Sequence, residues 1–211
     1  MKKNVVLLVG ILLFFTATSV FGEDKKTGPY FSANIGMAFP SDSDITDSTV
    51  PGITAGVESD SGLALGAALG YDFGILRFEG EIGWQKNDLD KLKIIGINFD
   101  LTGDASIISF LLNLYIDMEN STPFTPFFGV GVGLANVDIN DLNVPGSGLP
   151  SSSGDETVFA WQIGGGLGYA VSQSTTLEIK YRYFATKDAE FGTTKVELAS
   201  HNIYLGARFA F

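Results

Sequence analysis

The 211-residue sequence contains no cysteine and a single histidine, His201. Without cysteine there is no disulfide framework, no thiolate zinc site and no thiol nucleophile. One histidine excludes a His-rich metal site or two-histidine catalysis within one chain. Cations are scarce: 13 Lys and Arg stand against 24 Asp and Glu, a net charge of −11. That balance argues against a nucleic-acid partner, which needs clustered cations. The sequence also lacks an apolar run of the roughly 20 residues that a membrane-spanning helix requires. Yet 45% of it is hydrophobic, which rules out a disordered chain. The length suits one domain or two small ones.

What is present begins with an address. Met1-Lys2-Lys3 is a short basic segment, residues 5–15 are apolar, and Val20 and Gly22 occupy the −3 and −1 positions of a cleavage site before Glu23. This is the pattern of an export signal, too short for a membrane anchor. The expected organisation is a signal peptide over 1–22 and one mature domain over 23–211.

The mature part alternates. Apolar residues occupy every second position in eight stretches, 31–39, 62–73, 76–85, 108–117, 127–135, 159–171, 177–184 and 202–211. Period 2 marks a strand with two chemically different faces. Leu76, Phe78, Ile82 and Trp84, for example, alternate with Arg77, Glu79, Glu81 and Gln85. The charges within these stretches, Asp72, Arg77, Glu79, Glu81, Asp117, Glu178, Lys180, Arg182 and Arg208, all fall on the small, polar face. Leu111 is an apolar exception on that face.

Side-chain size says which face is inside. The polar face is largely Gly and Ala, while the apolar face carries Phe, Trp, Tyr, Leu and Ile. An eight-stranded barrel is only just wide enough to be filled by side chains, so small residues belong within it. Bulky apolar residues then belong outside, where lipid accepts them. Stretches of 8–13 residues match tilted strands crossing a bilayer, for which about 9–11 are needed. Trp84, Phe159 and Trp161 near one set of strand ends, and Phe73, Tyr169 and Phe211 near the other, suit the two interfacial belts.

Connection lengths alternate as well. The links at 74–75, 119–125 and 172–175 are short, and those at 40–61, 86–104, 136–156 and 185–196 are long. In bacterial barrels short turns face the periplasm and long loops face outward. Both termini then lie in the periplasm, and the acidic residues crowd the outer connections. Residues 93–101 also alternate; they are expected to continue a hairpin beyond the membrane, with a bulge near Thr102-Gly103. Counting them separately gives a ten-stranded alternative. The expected fold is an all-β, eight-stranded antiparallel up-and-down transmembrane barrel.

Several segments add a resemblance. Residues 77–84 (Arg-Phe-Glu-Gly-Glu-Ile-Gly-Trp), Asn113-Leu114-Tyr115, the Gly-rich 126–133, Tyr181-Arg182-Tyr183 and the aromatic end at Phe211 resemble the small outer-membrane β-barrel family. That family includes the OmpA transmembrane domain, opacity proteins and surface antigens. The resemblance spans the mature chain. It implies a Gram-negative outer membrane and an assembly signal in the last strand, around Tyr204, Phe209 and Phe211, read by the barrel-insertion machinery. It also implies a monomer among outer-membrane lipid and lipopolysaccharide. No cell-wall tether is expected, since the chain stops at Phe211.

Chemistry is sparse. Barrel lipid A deacylases place His and Ser two apart on one strand face, whereas Ser200 and His201 are adjacent and point to opposite sides. No catalytic residue, cofactor or metal is therefore expected. Asp42-Ser43-Asp44-Ile45-Thr46-Asp47 and Asp138-Ile139-Asn140-Asp141 lack the Gly and terminal Glu of a calcium loop. Inside the lumen, Arg77, Lys180, Arg182 and Arg208 are expected to pair with Glu79, Glu81 and Glu178. The reading is a structural or surface-interaction protein with a side-chain-filled lumen, acting on a host or surface ligand through mobile outer loops. A narrow small-solute pore is the alternative, and a lipid-modifying enzyme a third.

Overall fold

The structure, a computed structural model, describes residues 27–41, 43–47, 54–94, 97–146, 151–191, 194–196 and 198–211. The proposed signal peptide and Asp42 lie outside them. Eight strands cross the molecule: β1 (Gly28–Pro40), β2 (Gly62–Asp72), β3 (Leu76–Ile94), β4 (Thr102–Asp117), β5 (Phe124–Asn143), β6 (Ser152–Ala170), β7 (Thr175–Thr186) and β8 (Ala199–Ala210). Each pairs antiparallel with its chain neighbours, and β1 pairs with β8, so the sheet closes on itself as a ring of eight.

The register sets the shape. Stepping across paired residues from Tyr30 through Gly70, Glu79, Asn113, Gly131, Gln162, Phe184 and Ser200 returns to β1 at Pro40, ten residues along. That stagger tilts the strands and leaves no open edge in the ring, so its backbone groups find partners within the sheet. Every residue on this walk short of Pro40 belongs to the lumen-facing parity of its strand.

Alternation in sequence becomes alternation in exposure. Leu112 is 73% exposed on the outer wall, whereas its neighbour Leu111 is 3% exposed in the lumen. Phe31, Ile35, Leu69, Phe78, Ile82, Phe110, Leu134, Ile179 and Leu205 continue the outer apolar surface around the ring. Aromatic rings gather at its two ends. Tyr71, Phe73 and Phe78 meet near one short turn and Phe124 meets Tyr169 near another, with centroids 4.5 to 6.0 Å apart. Trp161, Tyr183, His201 and Tyr181 form a chain of contacts toward the long-loop end. No helix of the described residues is long and apolar enough to cross a membrane.

Short turns are closed by local polar groups. Gly74 has φ +95° and donates its amide to Asp72 Oδ1 at 2.8 Å, a reversal that needs a residue without a Cβ. At the next turn Asn120 Nδ2 donates to the Met118 and Phe124 carbonyls at 3.2 and 2.8 Å.

The long connections differ from the loops expected of them. β3, β5 and β6 continue beyond the upper aromatic cluster, and five short strands join them: Ser43–Asp47, Thr54–Ser59, Ile97–Asp100, Ala189–Phe191 and Thr194–Val196. They build a β-crown, with Thr54–Ser59 on one side of β3 and Ile97–Asp100 on the other. Period 2 persists there, but Lys86, Asp88, Asp138 and Asn140 replace apolar residues on the outer side, which is why composition read as loop. Residues 91–94 pair with 97–100 as the expected hairpin beyond the membrane, with the register shift between Thr102 and Asp104 and φ +136° at Gly103. The ten-stranded alternative gives way to the ring of eight. In the crown the Lys93 ammonium beside Glu58 holds that carboxyl below the usual carboxylate range.

The cysteine-free sequence makes the wall testable. A nitroxide on Leu112→Cys, in lipid vesicles, is expected to relax strongly with oxygen and weakly with a water-soluble nickel chelate. One on Leu111→Cys should respond weakly to both. Equal chelate access at the two sites would contradict the assigned faces.

Candidate functional site

The lumen holds the chemistry. Because lumen-facing positions of neighbouring strands stack at matching heights, β2, β3, β4, β7 and β8 bring their charges together. Arg182 on β7 donates through Nη1 to Glu81 Oε1 on β3 at 2.6 Å, and through Nη2 to the Tyr115 hydroxyl at 3.0 Å. Arg77 on β3 meets Asp117 on β4 at 2.9 Å and Glu178 on β7 at 3.5 Å. Lys180 meets Glu178 at 2.9 Å. Arg208 on β8 meets Asp72 on β2 at 2.6 Å and Glu178 at 3.3 Å. All nine of these charged groups, Glu79 included, are buried.

Glu79 departs from the expected pairing. Its carboxylate is met by hydroxyls and an amide: Tyr30 Oη at 3.1 Å, with Ser32 Oγ, Asn113 Nδ2 and Tyr115 Oη at 3.4 Å. Asp72 and Asp117, acidic in-strand residues left out of the expected pairs, take Arg208 and Arg77 instead. Alternation had marked both as inward but gave no sign of their partners. Those partners sit across the bore at heights fixed by the stagger. Aromatic rings complete the packing, with Arg77 over Tyr115 and Phe127 at 4.8 and 5.0 Å, Arg182 over Tyr204 at 5.2 Å and Arg208 over Tyr30 at 5.3 Å.

Glycines make room for these groups. A Cβ on Gly129 would overlap the Tyr115 ring, and one on Gly70 the Tyr30 ring. The small face is therefore the complement of the large polar side chains, and the cavities left in the charged region hold about 10 Å³ each.

Toward the crown the lumen changes character. Ile107, Leu111, Ala135, Val137, Val158, Ala160, Phe184 and Ala189 form a buried apolar cluster. Gly, Ala and paired charges are expected in the bore, with Leu111 an isolated exception, so a continuous apolar layer corrects that expectation. The signal was present: Leu111 and Phe184 sit on the polar face of their strands, as do Ile107 and Val137 just beyond the expected spans. The three residues grouped as an assembly signal also separate. Tyr204 is buried in the lumen, while Phe209 and Phe211 are exposed on the outer surface.

Ser200 and His201 point apart as their spacing implies. Ser200 is buried with Oγ 3.5 Å from Gln85 Oε1, and His201 faces outward with Nδ1 2.7 Å from Tyr181 Oη. Among the described residues no group of His, Asp and Glu is placed to hold a metal ion.

A closed antiparallel ring with an apolar exterior, aromatic rings at both rims and charges sealed within defines a transmembrane β-barrel. Residues 7–211 match the family described as outer membrane protein beta-barrel domain, and the chain belongs to it. It resides in the Gram-negative outer membrane. Its relatives include the outer membrane protein PagN of Salmonella typhimurium, 28% identical over 54% of this chain and 54% of that one. A Rickettsia conorii protein, RC1281, provisionally named an adhesin, is 30% identical over 54% of this chain and 52% of that one. The chain thus spans about half the length of the curated relatives it matches. The crystal structure of Neisserial surface protein A superposes with a TM-score of 0.58 at 19% identity, covering 88% of this chain and 98% of that one.

Removing one member of a buried ion pair strands its partner's charge, at a cost of about 3–5 kcal/mol. Arg182→Met is therefore expected to destabilise the barrel by about that much in urea unfolding from lipid vesicles, while the double variant Arg182→Met/Glu81→Leu recovers much of the loss. A double variant no more stable than the single one would contradict the pairing.

Proposed function

We propose that this chain is a non-enzymatic surface-interaction protein: a barrel with a closed lumen that holds a β-crown above the outer membrane for contact with a host or surface ligand. The observation that carries this reading is the crown itself. β3 extends well past the aromatic rim, and the strand Ile97–Asp100 pairs with its end, carrying Ile97 and Phe99 at 60% and 41% exposure. Exposed apolar side chains on a projecting hairpin in water are costly unless something covers them. The naming of a relative as an adhesin agrees with this use of the outer face. We further infer that residues 1–22 are removed on export, that 23–211 form the barrel domain, and that the aromatic end of β8 directs its assembly as a monomer.

A narrow solute pore is the second reading, favoured by the polar lining of the periplasmic half of the bore. It would require both the Arg182–Glu81 pair and the apolar layer above it to move aside.

Non-adherent Gram-negative cells displaying the protein are expected to gain binding to host cells, and Ile97→Ser/Phe99→Ser should reduce that gain several-fold at equal surface display. Unchanged binding by the double variant would contradict the crown reading. Lipid A mass spectra with and without the protein should coincide; a new lipid A species would overturn the non-enzymatic assignment.

A further inference from the structure

The chain's one histidine faces outward, at the outer rim of the membrane wall. His201 lies opposite Phe39 on β1 and Tyr183 on β7, so three neighbouring strands bring it into an aromatic cluster. Its ring lies 5.2 Å from that of Tyr183 and stacks at 6.0 Å on that of Tyr181, while Trp161 lies 5.5 Å from Tyr183. The Tyr181 hydroxyl engages Nδ1 at 2.7 Å. When that hydroxyl donates, Nε2 carries the ring proton and becomes a fixed outward donor.

The cluster sits where a bilayer changes from hydrocarbon to headgroup. Lys187, exposed, lies one pair above Trp161, its amide donating to the Phe159 carbonyl at 2.8 Å. Below the cluster, Tyr181 and Phe128 flank Gly165, which presents no side chain to lipid. A cation, an imidazole donor and the Tyr183 phenol thus stand above a gap in the apolar wall about as wide as one strand, close to 5 Å, with Tyr181 at its side. Further around the rim Asp104 on β4 pairs with Lys86 on β3, and Asp138 on β5 lies opposite Asp155, which is on β6 itself four residues beyond Phe159.

We propose that this patch is a docking site for one phosphorylated glycolipid of the outer leaflet. Lys187 and His201 Nε2 would meet a headgroup phosphate, Trp161 and Tyr183 would cover the sugar face, and an acyl chain would lie along Gly165. Aromatic residues suit such a ligand because one end of the ring system is apolar and the other wet. Asp188, exposed beside Lys187, offsets part of that cation, so His201 is the more discriminating position.

The test uses the full mature barrel in nanodiscs and native mass spectrometry with three probes: lipid A, dephosphorylated lipid A and a phosphatidylcholine. Wild type is expected to retain one lipid A at least five-fold more than either other probe. His201→Phe, which keeps an aromatic ring and removes the donor, should lose that preference, with the gel shift on heating reporting that the barrel is intact. Inorganic phosphate alone should leave the His201 ring nitrogen resonances unmoved, which separates a lipid site from a free-anion site. Equal retention of all three lipids, retention unchanged in an intact His201→Phe barrel, or a phosphate-induced shift would each overturn the proposal.

Discussion

Inside a bilayer no water is available to the peptide backbone, and every amide and carbonyl must find its partner within the protein. Pairing of β1 with β8 answers that constraint. Closure in turn dictates what the side chains do. A ring of eight strands with a ten-residue stagger leaves a bore too narrow for solvent and too wide to be left empty, so half of all strand positions must fill it. The other half must satisfy lipid. Period 2 in the sequence is the direct consequence.

Filling the bore with charge brings a second constraint. Ions removed from water need close partners, and here each cation in the bore meets at least one carboxylate, while two tyrosines and an amide meet Glu79. Glycines on adjacent strands make way for the long side chains, so large and small alternate around the wall as well as along it. The apolar layer near the crown closes the bore without charges, where the lumen approaches open water. Two different chemistries therefore seal one channel, one above the other.

Much of this was legible in residue order. The inward or outward direction of each strand position follows from alternation, because a pleated strand permits only two. The bulge at Gly103 followed from a break in the pattern. Partners inside the bore were not legible: Tyr30 reaches Glu79 and Arg182 reaches Glu81, pairs set by the stagger of the ring and by side-chain reach. The apolar layer was written in Leu111 and Phe184, two exceptions to the polar face that belong to the buried cluster around Val137 and Ala160. The crown stayed hidden for another reason. Its strands carry polar residues on the water-facing side, so composition reads as loop although the ladder continues.

A β-crown on a filled barrel separates two roles. The membrane-embedded ring supplies stability and orientation, and the projecting strands supply a surface on which contacts can vary without unsettling the ring. The sealed bore is the claim on which this division rests. Single-channel recording of the purified barrel in planar bilayers tests it most directly. The account predicts no steady conductance above that of the bare membrane, with openings appearing only when Arg182 and Phe184 are both replaced by alanine. Reproducible open steps from the unaltered protein would contradict it.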